Sequence, residues 1–244
     1  MAFIVALLGA ECTGKTTLTQ QLADGLRATG SVPVALASER LRSWCQTQER
    51  MPHRHEQADV AHLQAQAMEQ AQQQAGPHGW VIADTTPLQT AAYSHTYFDD
   101  DALDAFAATH HARHVQLTLL MGLDLPWQPD GFLRDGPALQ TRTDQHLRAL
   151  LHTHQLPHQV MYGAGPAREA AAWLALAAHP MLETGQKKSF KTIAETLLNT
   201  SGKPQKNSHF MPLCEHCDSA ECEHRLFSRL TAARRSPAGK PAAG

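Results

Sequence analysis

The chain has 244 residues and a net charge of −2, enough for one α/β domain with an appendage. Charge is uneven: residues 1–180 carry a net −6 and residues 181–244 a net +4, which divides the chain into a mildly acidic body and a basic tail. No run approaches the ~20 apolar residues of a membrane span, the apolar start lacks the form of a secretory signal, and five cysteines with three of them at 214–222 do not form a disulfide framework, so a reducing, cytoplasmic protein is expected.

Taken in chain order, 2–9 (AFIVALLG) reads as a strand buried on both faces. A helix follows over 15–29, with Leu18, Leu22 and Leu26 in one row. A short strand (32–38), a helix (39–49) and a long Ala- and Gln-rich helix (53–75), stopped by Gly76-Pro77, come next. Strands are expected at 79–85, 114–122 and 157–163, and helices at 87–97, 100–112, 137–155 and 166–179, the last with Pro in its first turn. Strands alternating with helices predict an α/β fold, a five-stranded parallel sheet with helices on both faces, and the G-x-x-x-x-G-K-T run at 9–16 after the first strand makes it one of the P-loop NTPase type, with a short Cys-rich C-terminal tail. The boundaries are a P-loop domain at 1–180, a linker at 181–208, a Cys/His-rich knuckle at 209–230 and a disordered tail at 231–244.

Gly9-Ala10-Glu11-Cys12-Thr13-Gly14-Lys15-Thr16 fits G-x-x-x-x-G-K-[ST] at every fixed position, between a strand and a helix. The glycines permit a backbone that turns its amides toward phosphate oxygens. Lys15 reaches the β- and γ-phosphates, Thr16 offers a hydroxyl to Mg²⁺, and Thr17 completes the loop. Lys15 is also the one lysine in the first 180 residues. Cys12 reads as a small filler at a variable position.

Ligands of open α/β sheets bind beyond the carboxyl ends of the strands. The third strand ends in Asp84, the Walker B position for Mg²⁺, and the second runs into Glu39, placed to face an acceptor hydroxyl. Arg134, Arg142 and Arg148 lie on 125–151, which begins as a loop and becomes helical; a lid bearing arginine stabilises a transferring phosphoryl group. Arg134 and Arg142 are the candidates, and Arg148 reads as an exposed helix-face charge.

GAECTGKTTL, SERLR, VIADTTPLQTAAY and LPWQPDGFLRDGPALQTR, in this order, resemble the NadR-like P-loop ATPase/kinase family and its ribosylnicotinamide kinase domain. The D-T-x-x-x-x-T run from Asp84 to Thr90 and the P-W-x-x-D-G-x-x-R run ending at Arg134 carry most of that specificity, the latter one residue longer than the family spacing. The resemblance implies transfer of the ATP γ-phosphate to the 5′-hydroxyl of nicotinamide riboside, with Lys15 and Thr16 on ATP and Mg²⁺, Glu39 and Asp84 facing acceptor and metal, and Tyr93 or Trp127 against the nicotinamide ring. The family's nucleotidyltransferase signature, H-x-G-H, does not occur among the 16 histidines, so a stand-alone kinase domain is expected. Two other readings stand beside this one: a kinase for another nucleoside or nucleotide, and an ATP-dependent switch whose tail docks a partner.

In that tail, Cys214, Cys217, Cys222 and His224 have the residue types of a closed Cys₃His zinc site, and the Lys and Arg around them suit contact with nucleic acid or an acidic protein.

Overall fold

The computed structural model describes residues 1–30, 32–127 and 136–200. Five parallel strands, β1 (Phe3–Leu8), β2 (Val34–Ala37), β3 (Trp80–Asp84), β4 (Leu117–Met121) and β5 (Gln159–Met161), form one sheet in the order β2-β3-β1-β4-β5. The order reverses direction at β1, so the crevice beyond its carboxyl end is the topological switch point. That is where residues 9–16 lie.

The helices are α1 (Lys15–Ala28), α2 (Arg40–Gln48), α3 (Gln57–Ala75), α4 (Pro87–Phe98), α5 (Asp104–His114), α6 (Pro137–Thr153), α7 (Pro166–Ala178) and α8 (Thr184–Thr200), with a 3₁₀ turn at Arg54–Glu56. Each matches a predicted segment to within a few residues, except α8.

Alternation along β1 explains the layers. Val5 and Leu7 point into a cluster with Leu18, Leu22 and Leu26 of α1 and with Trp173 and Leu176 of α7. Ile4 packs with Met68 and Ala71 of α3, and Leu8 with Leu88 of α4 and Leu147 of α6. A strand buried on both faces must be apolar throughout, which is why period-2 patterning is absent from its sequence.

The segment expected as a linker from 181 is helical from Thr184 to Thr200, and Phe190 and Ala194 are buried against Trp80, Trp173 and their neighbours. The first unit therefore runs past the predicted boundary at 180. The predicted zinc knuckle and disordered tail lie outside the described residues, as do Cys214, Cys217, Cys222 and His224. Among the described residues no helix is long and apolar enough to cross a membrane.

Candidate nucleotide site

The register of the sheet assembles the site. Leu7 pairs with Asp84, so the carboxylate closes β3 beside the point where β1 gives way to the loop. Thr16, in the first turn of α1, donates its hydroxyl to Asp84 Oδ2 at 2.6 Å. Asp84 is 4% exposed, and its Oδ1 is buried with no protein partner. A hydroxyl plus a buried carboxylate oxygen still lacking a counter-charge fits a hard cation that keeps most of its ligands from phosphate and water. No group of three or more metal-ligating side chains occurs among the described residues, so an all-protein cage is not what holds a cation here.

The loop is braced from behind. Gly14 precedes α1 with φ 81°, a left-handed conformation that glycine adopts without steric cost. The amide of Gly9 donates to Gln89 Oε1 at 3.2 Å. Thr13 Oγ1 donates to the Ala10 carbonyl, and Gln140 Nε2 donates to the Glu11 carbonyl at 2.6 Å. Lys15 is buried, and its Nζ donates to the carbonyls of Gly9 and Ala10 at 2.7 and 2.9 Å. The ammonium thus sits folded onto its own loop, with backbone dipoles in place of phosphate oxygens.

In front of the loop lies a cavity of about 350 Å³ lined by Glu11, Cys12, Thr13, Gly14, Lys15, Thr16 and Thr17 on one side and by Glu39, Leu41, Arg42, Cys45, Met51 and Tyr93 on the other. Gly9 and Ala10 are buried and do not line it. A smaller chamber of about 120 Å³ shares Leu41, Met51 and Tyr93 with it and adds Pro52, Gln57, Tyr97 and Phe98. The site therefore has a polar end at the loop and an aromatic end beyond it.

Glu39 occupies the N-cap position of α2 but makes no side-chain cap bond; its carboxylate pairs loosely with Arg42 at 3.5 Å. Its place relative to Asp84 is set by Gln64 of α3. The amide of Gln64 donates to the Thr85 carbonyl at 3.2 Å, and its Oε1 accepts from the Arg40 amide at 2.8 Å. Thr85 itself has φ 76°, an unusual conformation for a β-branched residue and one that costs about 1–2 kcal/mol, held in place by these bonds. Tyr93 is buried and hydrogen-bonded to Glu11. Burial first, then the Glu11 and Glu39 carboxylates, push its phenol well above the ordinary range, so it stays protonated and donates. Burial also pushes the Cys45 thiol up to about 11, with Glu39 adding to the effect; its Sγ donates to Met51 Sδ, and it is not a nucleophile.

The lid arginines fare differently. Arg134 lies outside the described residues. Arg142 is exposed on α6 and does not line the cavity, because the buried face of that helix is taken by Thr143, Leu147 and Leu150. Arg148, expected on the surface, is 6% exposed and donates to Asp144 Oδ2 at 2.8 Å, a buried pair one helical turn apart. Trp127 lines neither chamber, whereas Tyr93 lines both.

Several functional side chains carry no motif. Gln64 and Gln140 are indistinguishable in sequence from other glutamines of their helices.

Comparison with known proteins agrees with this architecture. A family model described as an AAA domain (AAA_28) matches residues 4–168. Among curated proteins none matches the chain. Two crystal structures of NadR protein, one in complex with NR and one with NAD and AMP-PNP, superpose with a TM-score of 0.59 at 18% and 19% identity over 75% of the chain. The alignments cover 52% and 50% of those proteins, so the chain spans about half their length. Thymidylate kinase from Ehrlichia chaffeensis superposes with a TM-score of 0.51 at 12% identity, over 82% of the chain and 98% of that protein. At these identities the likeness is one of fold alone, an α/β P-loop arrangement shared with these proteins.

Proposed function

The chain belongs to the AAA domain family, and from that premise we propose that it is an ATP-dependent kinase that phosphorylates the 5′-hydroxyl of nicotinamide riboside. The observation that supports this reading is the two-ended site: a cavity at the phosphate loop that also carries the Glu11 and Glu39 carboxylates, beside a small aromatic chamber that shares Leu41, Met51 and Tyr93 with it. A nicotinamide riboside ring is a cation. The Glu11 and Glu39 carboxylates and the rings of Tyr93, Tyr97 and Phe98 suit a flat cationic ring, each such cation–π contact contributing about 0.5–2 kcal/mol.

In this mechanism the loop amides and Lys15 bind the β- and γ-phosphates, the lysine exchanging the Gly9 and Ala10 carbonyls for phosphate oxygens. Thr16 and Asp84 would hold Mg²⁺, whose contribution when bound is to neutralise charge on the β- and γ-phosphate oxygens. Glu39 accepts the hydrogen bond of the 5′-hydroxyl and takes its proton as the oxygen attacks the γ-phosphorus. The new O–P bond forms as the bond from the γ-phosphorus to the bridging oxygen breaks, and ADP departs. Tyr93 donates to Glu11 and holds that carboxylate in the cavity wall. By its C-x₂-C and C-x-H spacing, the tail is a zinc knuckle separate from this chemistry, which the zinc content of the full chain tests.

The deciding experiment offers the protein Mg-ATP with nicotinamide riboside, its neutral dihydro form and a panel of neutral nucleosides, and reads phosphorylated products by mass spectrometry. The cationic riboside should be phosphorylated with a kcat/KM about tenfold or more above its dihydro form. Product from a neutral nucleoside alone would move the assignment to another nucleoside kinase. ATP consumption independent of any acceptor would replace it with an ATP-driven switch.

A further inference from the structure

Arg168 sits in the first turn of α7, 4% exposed, and does not line the cavity. Its Nη1 donates to the Thr13 carbonyl and its Nη2 to Asp124 Oδ1, while Asp124 Oδ2 accepts from the Gly163 amide. One buried guanidinium therefore ties together the loops that follow β1, β4 and β5. A β-carbon built on Gly14 would stand 3.7 Å from the same Nη1, which places the charge directly behind the loop's second glycine.

The planarity of the peptide bond gives this contact a consequence. In a trans peptide the C=O and the following N–H point in opposite directions. With the Thr13 carbonyl held by Arg168, the Gly14 amide points away from the guanidinium, and Gly14 itself lines the cavity. Released from the arginine, that peptide is free to rotate about its flanking bonds, and glycine opposes such rotation least.

We propose that Arg168, held by Asp124, is a positioning residue for nucleotide: it fixes the Thr13–Gly14 peptide so that its amide faces the phosphates. Neither residue lines the cavity. The pair acts through the loop, and because Asp124 lies on the segment after β4, it ties the phosphate loop to that segment. This inference rests on the nucleotide-binding reading of the loop and, for its control titration, on the riboside as acceptor.

The test uses the full chain and titrates Mg-ATP and nicotinamide riboside separately by calorimetry. Arg168→Met should weaken Mg-ATP binding about 10- to 100-fold and leave riboside affinity unchanged. Arg168→Lys should recover part of the loss, since an ammonium supplies the carbonyl bond but not the fork to Asp124. In ¹⁵N-labelled protein the Gly14 amide resonance should move in Arg168→Met and return toward its wild-type position in Arg168→Lys. If the methionine variant does not fold, Arg168→Lys and Asp124→Asn carry the same two readouts, each with an intermediate loss. Mg-ATP affinity within twofold of wild type, or an equal loss for Mg-ATP and riboside, would overturn the proposal. A wild-type chain that fails to bind Mg-ATP would instead overturn the nucleotide reading itself.

Discussion

Lys15 illustrates how much a single side chain does in the phosphate loop. Its ammonium is buried and satisfied only by two carbonyls of its own loop, at 2.7 and 2.9 Å. Lys15→Ala leaves the Gly9 carbonyl without its donor and the Ala10 carbonyl with Thr13 Oγ1 alone, and removes the charge that meets the phosphates. Two effects should follow. The unliganded protein should lose about 1–3 kcal/mol, the cost of unpairing buried polar groups. The stabilisation that Mg-ATP gives the wild type, about 2.7 kcal/mol at 100 times Kd, should vanish. Thermal denaturation with and without Mg-ATP separates the two, because the first appears in the unliganded curve and the second only in the shift. A Lys15→Ala protein that retains the full Mg-ATP shift would show that the ammonium keeps to the loop carbonyls throughout.

At the scale of elements, α1 carries the loop, so its seating on the sheet matters to the site. Gly25 faces Trp173 of α7, and a β-carbon there would lie 2.4 Å from Trp173 Cζ2. Two effects compete in Gly25→Ala. Helix propensity favours alanine by about 1 kcal/mol, while overpacking a fully buried indole costs about 1–3 kcal/mol. Trp173 is 0% exposed and hemmed in by Phe190, so it has little room to yield, and the melting temperature should fall. The same indole explains the largest gap between sequence and structure. The strands, α1 and the Asp84 turn were legible because apolar runs and glycine-rich turns are local signals. The helix over 184–200 has an equally clear stripe, Phe190, Ile193, Ala194 and Leu197 at i, i+3, i+4 and i+7, but the lysines around it drew the boundary at 180 instead. Ending the chain at residue 183 should strip Phe190 from Trp173 and Trp80, costing roughly 2–4 kcal/mol and roughly 5–15 °C in melting temperature. The site was legible in proportion to locality. Lys15, Thr16 and Glu39, which motif and strand-end position single out, line the cavity, and Asp84 accepts from Thr16 beside it. Gln64, Gln89, Gln140 and Arg168 act across 21 to 155 positions of chain, through bonds that composition does not encode. Arg148 was expected on the surface for the same reason, since which face of α6 is buried depends on α4, not on α6 alone.

For the whole molecule, histidine burial sets the response to acid. His111 is 2% exposed, with Nδ1 3.2 Å from Thr86 Oγ1 and Nε2 2.8 Å from Thr118 Oγ1. His110 beside it is 8% exposed, with neither ring nitrogen partnered by protein. Burial is the main cause that lowers His111 to about 3, helped by His110 and His158, and His110 to about 4, helped by His114. Both values lie below the ~6.5 of an unfolded histidine, so the unfolded chain binds more protons between them. The stability these rings contribute is therefore complete above about pH 6.5 and declines as pH falls toward 4 and then 3. Between about pH 5 and 6.5 most carboxylates have yet to titrate, and each histidine should contribute a slope approaching about 1.4 kcal/mol per pH unit. Chemical denaturation across that interval should show stability falling with acidity at close to twice this slope, with His146, lowered mainly by burial, adding in the same direction. His111→Asn should flatten the slope by about one proton even though it lowers stability at every pH. A slope unchanged by that substitution would place the acid-sensitive groups elsewhere. Thr86, which His111 contacts, caps α4 two residues after Asp84, so the first structure that acid loosens should be the turn that supports the carboxylate of the nucleotide site.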